Sequence, residues 1–338
     1  MTVNLDRLGQ KKGTGAVDEL FLKLGISELL SAFERNCVFK GKVKERSIKG
    51  GKSCAFPVSG RAEAAYHVPG NAIVGATNSP GAHNEKIINL DGLLIADQVV
   101  YDLDNLMNYY ETRQDITNQL GLALAYEWDR RAARVLYSAA YDNTEPLNKS
   151  GSGEVNEGRT GHTEELSSDY ATATKNAKGD ELIEAISSIK VKMKKVDVPT
   201  ENLVCVVGPD EYDYLLDSTR AINTDFNSGG GENGSFAAGR VLKVKGIPVF
   251  ESNHVQQDAY MNGDYDKNAD YQADLSKNRA IVFHRDAIGC LTLKSPSLQV
   301  TPEGSSFNIQ YQASLMVARM AIGMAVLRAE CAGVIEVP

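Results

Sequence analysis

The sequence predicts an α+β protein with separate lobes. Three observations carry that reading: a helical pattern of about forty residues, two extended stretches of which the first bears cations, and a compact alternation of helices and strands over 180–250. The helical pattern, 102–141, contains no proline. Leu103, Leu106, Met107 and Tyr110 start its apolar face, and Ile116, Leu120, Leu124, Trp128, Ala132 and Leu136 continue it in steps of four. Asp102 can cap the first turn, and Gly121 is a weak interior position, costing about 1 kcal/mol relative to alanine. At that length the helix would span roughly 55–60 Å, so an elongated or plate-like subunit is expected, better suited to tiling than to enclosing a substrate.

The other elements follow in chain order. Residues 1–15 are polar and read as a mobile start, and 17–33 form an amphipathic helix with Leu20, Leu24, Ile26, Leu29, Leu30 and Phe33 on one side. The stretch 38–60 is extended, with Val43, Ile48, Phe56 and Val58 between cations and paired glycines. Residues 85–100 form a second extended stretch that suits pairing with the first. Between them, 69–84 holds two P-G dipeptides and small residues, the chemistry of a flexible tip. The drawing is a two-stranded ribbon leading into the long helix. A hairpin of this kind is marginal alone, so a neighbouring copy is the expected support.

Beyond the long helix, 142–179 reads as a polar surface loop. The lobe that follows has a helix over 180–196, a wholly apolar central strand over 203–207, a helix opened by Pro209, a glycine-rich loop over 223–234, and a strand pair over 241–244 and 247–250. Residues 256–278 are polar. Strands are then expected over 280–283, 289–293 and 307–312 and within 313–337, where they join the long helix in a second core.

Composition limits the function. The 338 residues carry 36 basic and 44 acidic side chains, a formal charge of −8, and 42% apolar content, which offers no general attraction to nucleic acid or to an anionic membrane. A DNA-binding protein is the second reading, and the acidic balance argues against it. The five cysteines are scattered, with no C-x-x-C pair, and read as reduced thiols of a cytosolic setting. No secretory leader is expected, and the apolar run 320–327 is far too short for a membrane span.

A third reading, an α/β enzyme using the 180–250 lobe, needs a chemical motif. Gly229, Gly231 and Gly234 have dinucleotide-loop spacing, but a polar run precedes them where a buried strand is required. Gly51-Lys52-Ser53 lacks the first glycine of a phosphate loop, whose position holds Arg46. His284-Arg285-Asp286 has the letters of a kinase catalytic loop without its companions, and reads as a strand end. The five histidines show no zinc spacing. No catalytic residue, metal or cofactor is therefore expected. Interface residues are expected instead. Lys42, Lys44, Arg46, Lys49, Lys52 and Arg61 make the ribbon basic and able to meet acidic surface on an adjacent copy, with Phe56 and Tyr66 as aromatic anchors. The intersubunit candidates are Lys49, Lys52, Phe56, Arg61 and Tyr66.

The blocks GKSCAFPVSGRAEAAYHVPG (51–70), EKIINLDGLLIADQVVYDLDNLMNYYETR (85–113) and FHRDAIG (283–289) resemble the major capsid proteins of T-seven-like short-tailed phages. The likeness continues through YQASLMVARMAIGMAVLRAECAG (311–333) and, less tightly, DELFLKLGISELLSAFERN (18–36), while 141–179 and 256–278 depart from it. The resemblance implies the Hong Kong 97 capsid fold, divided here as an N-terminal arm (1–46), a ribbon (47–95), a peripheral domain with the spine helix (96–141 and 285–338) and an axial domain (142–284). It implies pentamers and hexamers closing an icosahedral shell around double-stranded DNA. A scaffolding protein and a portal at one vertex are the implied partners, with assembly in the host bacterial cytoplasm and no catalytic residues.

Overall fold

The computed structural model describes residues 19–59, 66–67, 69–70, 83–101, 103, 112–142, 160–218, 243–255, 271–301 and 305–338. In chain order these form α1 (Glu19–Asn36), β1 (Lys44–Ser47), β2 (Ser53–Ser59), β3 (His83–Asn89), β4 (Leu93–Tyr101), α2 (Thr112–Tyr141), β5 (His162–Glu165) and α3 (Lys175–Lys195). There follow β6 (Leu203–Val207), α4 (Pro209–Asp217), β7 (Lys243–Val244), β8 (Ile247–Glu251), β9 (Asn278–His284) and β10 (Ile288–Val300). The remaining elements are α5 (Ser306–Tyr311), β11 (Ala313–Val326), a 3-10 turn (Ala329–Cys331) and β12 (Ala332–Glu336). Helices and strands segregate as an α+β chain. Two units group Met1–Lys40, Leu90–Arg131 and Thr292–Ile322 in the first, and Gly41–Asn89, Ala132–Leu291 and Gly323–Pro338 in the second.

In the first unit, Ile116, Leu120, Leu124 and Trp128 of α2 are buried, as are Leu29 and Phe33 of α1. Gly121 marks the close approach of the two helices: an added Cβ would lie 3.0 Å from the Leu29 carbonyl oxygen and 3.0 Å from the Ala32 Cβ. The flaw read from the sequence is therefore a packing requirement. Asp129, fully buried on the same helix, accepts the backbone N–H groups of Val38 at 2.8 Å and Phe39 at 3.2 Å, which fixes the chain leaving α1. Three strands run in the order β10-β11-β4, with β4 antiparallel to β11 from Ala313↔Tyr101 to Ala321↔Leu93.

The second unit holds a six-stranded sheet in the order β5-β12-β9-β6-β8-β7. Its inner strands are covered: β6 is apolar throughout, and β6 and β12 are buried at every position, Glu336 at the end of β12 included. Helix α3 turns Leu182, Ile186, Ile189 and Met193 inward, each worth roughly 1.5–3 kcal/mol on burial. Gly333 of β12 makes room for this helix, because a Cβ there would lie 2.5 Å from Ile189 Cγ2. Lys245 and Gly246, both at positive φ, close the β7–β8 hairpin as a two-residue turn.

Several expectations are corrected. The second extended stretch does not continue the ribbon: β2 and β3 pair only from Ser53↔Asn89 to Ser59↔His83, and from Leu93 onward the chain pairs with β11. The stretch expected as a loop over 142–179 contributes β5, parallel to β12, and buries Leu166 and Tyr170. Helix α3 begins at Lys175, not at 180, because Gly179 continues the helix beneath α4, where a Cβ would lie 2.1 Å from the Tyr214 carbonyl oxygen. Residues 306–311 are helical, since the Ser305 side chain accepts from the Asn308 N–H and Gln312 closes the helix in the left-handed conformation. Of the long helix, Thr112–Tyr141 is described, 30 residues spanning about 45 Å. The calls on 1–15, on most of the tip and of 102–111, and on the glycine loop lie outside the described residues.

Candidate assembly interface

The base of the ribbon is anchored within its own unit. Cys54 and Phe56 face the same side as Ile88 and Lys86 by register, and Phe56 and Ile88 are buried. Ile88 seats over Gly289, whose Cβ would lie 2.6 Å from Ile88 Cδ1 and 2.9 Å from Leu327 Cδ1. The Arg46 guanidinium lies 5.6 Å from the Phe56 ring centre, and its Nη1 donates to the Ala55 carbonyl at 3.2 Å. Phe56, expected to anchor a neighbour, is thus covered by its own chain, with little ring area left for another.

The remaining candidates divide in the same way. Lys42 sits 3.2 Å from the centre of the Phe250 ring, and Lys44 lies 3.7 Å from an Asp286 carboxylate oxygen. Lys49 and Lys52, flanking Gly50 and Gly51 before β2, are exposed and have no carboxylate in ion-pair range among the described residues. Tyr66 is fully exposed, and Arg61 lies outside the described residues. His284 and Asp286 occupy the turn between β9 and β10, where the imidazole Nδ1 accepts the Asp286 N–H at 3.3 Å. This is the strand-end role read from the sequence. Gly51-Lys52-Ser53 runs into a strand, not a helix, so it has no helix N-terminus with which to hold phosphate.

A surface that sequence reasoning missed lies on the edge strand β4. Leu93, Ile95, Val99 and Tyr101 alternate onto one face and are 39–54% exposed. Across the ladder, Val317 and Leu315 share that face opposite Asp97 and Val99 and are only half-buried. The opposite face of β11 carries Met316, Ala318, Met320 and Ile322, all buried. Thr301 N–H donates to the Leu315 carbonyl at 2.9 Å, which sets the antiparallel register of β10 and places the exposed Leu293 on the open face as well. An exposed, mainly apolar face of this kind, interrupted by Asp97 and by Arg319 opposite Ile95 and ending at a sheet edge, marks an interaction surface. Its signal was hidden in LLIADQVVY, where both faces are largely apolar and no clean alternation appears.

Burial pushes the Cys205 and Cys331 thiols up to about 12, far from the thiolate a nucleophile requires. A ribbon anchored at its base in one unit, and in the other a sheet that leaves an apolar face open, define a subunit built for assembly, the class to which shell-forming capsid proteins belong. A family model described as Gp10A-like major capsid protein matches residues 55–336, and the chain belongs to that family. It is 29% identical to the major capsid protein of Escherichia phage T7 over 97% of this chain and 96% of the relative. Among solved structures it is similar to the capsid of cyanophage P-SCSP1u, with TM-score 0.73, 29% identity and coverage of 89% of this chain and 88% of the other. It shares its fold with the mature capsid of bacteriophage PhiM1, with TM-score 0.67, 17% identity and coverage of 89% and 87%. The protein is a phage major capsid protein, a virion component that oligomerises with itself into the shell.

Proposed function

We propose that copies of this chain join as pentamers and hexamers and close an icosahedral shell around double-stranded DNA, the ribbon of one copy lying across the open sheet face of the next. The observation that carries this reading is the apolar row Leu93, Ile95, Val99 and Tyr101, exposed on an edge strand in a chain of the major capsid family. Exposed Ile87 on the outer face of β3 supplies an apolar contact from the ribbon side, and Lys49, Lys52, Arg61 and Tyr66 are the further contacts we assign to it. Many modest contacts of this kind become strong once a ring closes.

In this reading the arm is 1–46, the ribbon 47–95, the peripheral domain 96–141 with 285–338, and the axial domain 142–284. Assembly takes place in the host bacterial cytoplasm on a scaffolding protein, with a portal at one vertex. The net negative charge suits a container filled with DNA by a motor, without sequence-specific binding. The chain performs no catalytic step and takes no cofactor.

The test is the double substitution Ile95→Lys with Val99→Lys, followed by negative-stain microscopy of the chain co-produced with its scaffolding partner. Both positions are exposed, so folding should change by no more than about 0.5 kcal/mol, while shells disappear. Shells at unaltered yield would overturn the proposed role of this face.

A further inference from the structure

The second unit carries a lysine cluster at the C-terminal end of α3 and a row of aspartates on α4, which packs beside the other end of that helix. Near the C-terminal end of α3, Lys190 lies close to Lys194 and to Lys245 of the β7–β8 turn, with Lys195 in the same last turn of the helix. Lys190 Nζ donates to the Lys245 carbonyl, and Lys245 Nζ donates to Ser187 Oγ at 3.1 Å. None of these four ammoniums has a carboxylate in ion-pair range among the described residues, whereas Lys192, on the same stretch, is paired with Glu164. Burial first, and then Lys194 and Lys245, hold Lys190 below the usual lysine range. This is a concentrated positive patch on a chain whose formal charge is −8.

Roughly 20 Å back along the same helix, α4 lies beside the first turns of α3. Ser218 Oγ donates to Asp180 at 2.6 Å, and Lys175 holds Asp213 at 2.7 Å. Asp210 and Asp217 on α4 have no cation in ion-pair range among the described residues. The positive and negative groups thus stand on different elements, α3 with the β7–β8 turn and α4, within one unit.

We propose that the lysine end of α3 in one copy docks against the Asp210 and Asp217 end of the adjacent copy, so that this unit closes each ring head to tail. The inference rests on the shell reading above and names a second surface for it. Cyclic rings of identical subunits need two different, mutually complementary patches on every chain, and the lysine end of α3 together with the aspartates of α4 supplies both. A polyanion such as DNA would use the lysines but leave the aspartates without a role.

The test compares three variants with the unaltered chain, all co-produced with scaffolding protein: Lys190→Glu with Lys194→Glu; Asp210→Lys with Asp217→Lys; and a chain carrying all four changes. Ring and shell yields are read by sedimentation and negative-stain microscopy, and folding by circular dichroism. Each pair should lower ring yield by about tenfold or more through like-charge contact, and the fourfold variant should recover to within about twofold of the unaltered chain. The milder Lys190→Gln with Lys194→Gln should give an intermediate loss, so the proposal stays testable if a reversal misfolds. Undiminished yield in either reversed pair, or a folded fourfold variant that does not recover, would overturn the proposal. Intact rings with loss of duplex-DNA retardation in the lysine variant would overturn it in favour of a polyanion site. If the unaltered chain forms no rings at all, the shell reading itself falls, and this inference with it.

Discussion

The two sheets of this protein differ in what they leave open. In the second unit, β12, β9 and β6 lie at the centre of six strands, and nearly every position on them is buried. In the first unit, β4 sits at the edge and alternates exposed apolar residues onto a face that none of the described residues covers. The six-stranded sheet completes its own core. The sheet that holds β4 leaves part of its stability to be gained on assembly, and the same kind of substitution should therefore have different consequences in the two.

The largest expected effect is Val282→Asp in β9, where Val282 pairs with Gly333 on one side and Cys205 on the other and is fully buried. A carboxylate there has no compensating partner and should cost about 4 kcal/mol or more, read as loss of soluble folded chain or of the urea transition. Next is Asp129→Ala, which strands two backbone N–H groups and should cost about 2–4 kcal/mol in urea denaturation. Asp129→Asn keeps one acceptor and should recover part of that loss. Gly289→Val forces a side chain into Ile88 and Leu327 and should cost about 1–3 kcal/mol, with faster proteolysis at the ribbon base.

Acid should weaken the second unit selectively. Burial chiefly, assisted by Lys192 against Glu330, holds His162 below the usual histidine range; burial chiefly, assisted by Arg328 against Asp286, does the same for His284. Below the ordinary histidine value the unfolded chain takes up protons that the folded chain resists, so stability is full above about pH 6.5 and falls as pH drops from there toward the lowered folded values. Urea midpoints at pH 7 and pH 5 measure this, and replacing both histidines with asparagine should flatten the difference. The smallest expected effect on folding is Val99→Asp on the open face, within about 0.5 kcal/mol for the unassembled chain. A fold as sensitive to Val99→Asp as to Val282→Asp would erase the contrast between the sheets.

Much of this architecture was legible in the sequence because local physics dominates there. The run LVCVV could only be a central strand, and Pro209 after Gly208 opened a helix as its fixed φ allows. The class of the protein followed from blocks along the ribbon, the long helix and the final strands. The open face was not legible, since burial on β4 depends on which neighbours are present and not on its own letters. Asp129 gave no signal either: a carboxylate on a polar-rich helix looks solvated until the chain at Val38 folds over it. Helix α5 was misjudged because its Ser305 cap and Gln312 terminus outweigh the strand propensity of Phe307, Ile309 and Tyr311.

The place of β12 has a consequence for how each subunit is made. This strand enters between β5 and β9, both synthesised well before it. Until Ala332–Glu336 emerges from the ribosome, those two neighbours keep an empty slot between them, and the hydrophobic side of α3 has no Gly333 backbone to rest on. A polypeptide cut short before this point cannot finish its sheet, and the backbone groups of β5 and β9 that β12 would bond are left without that strand.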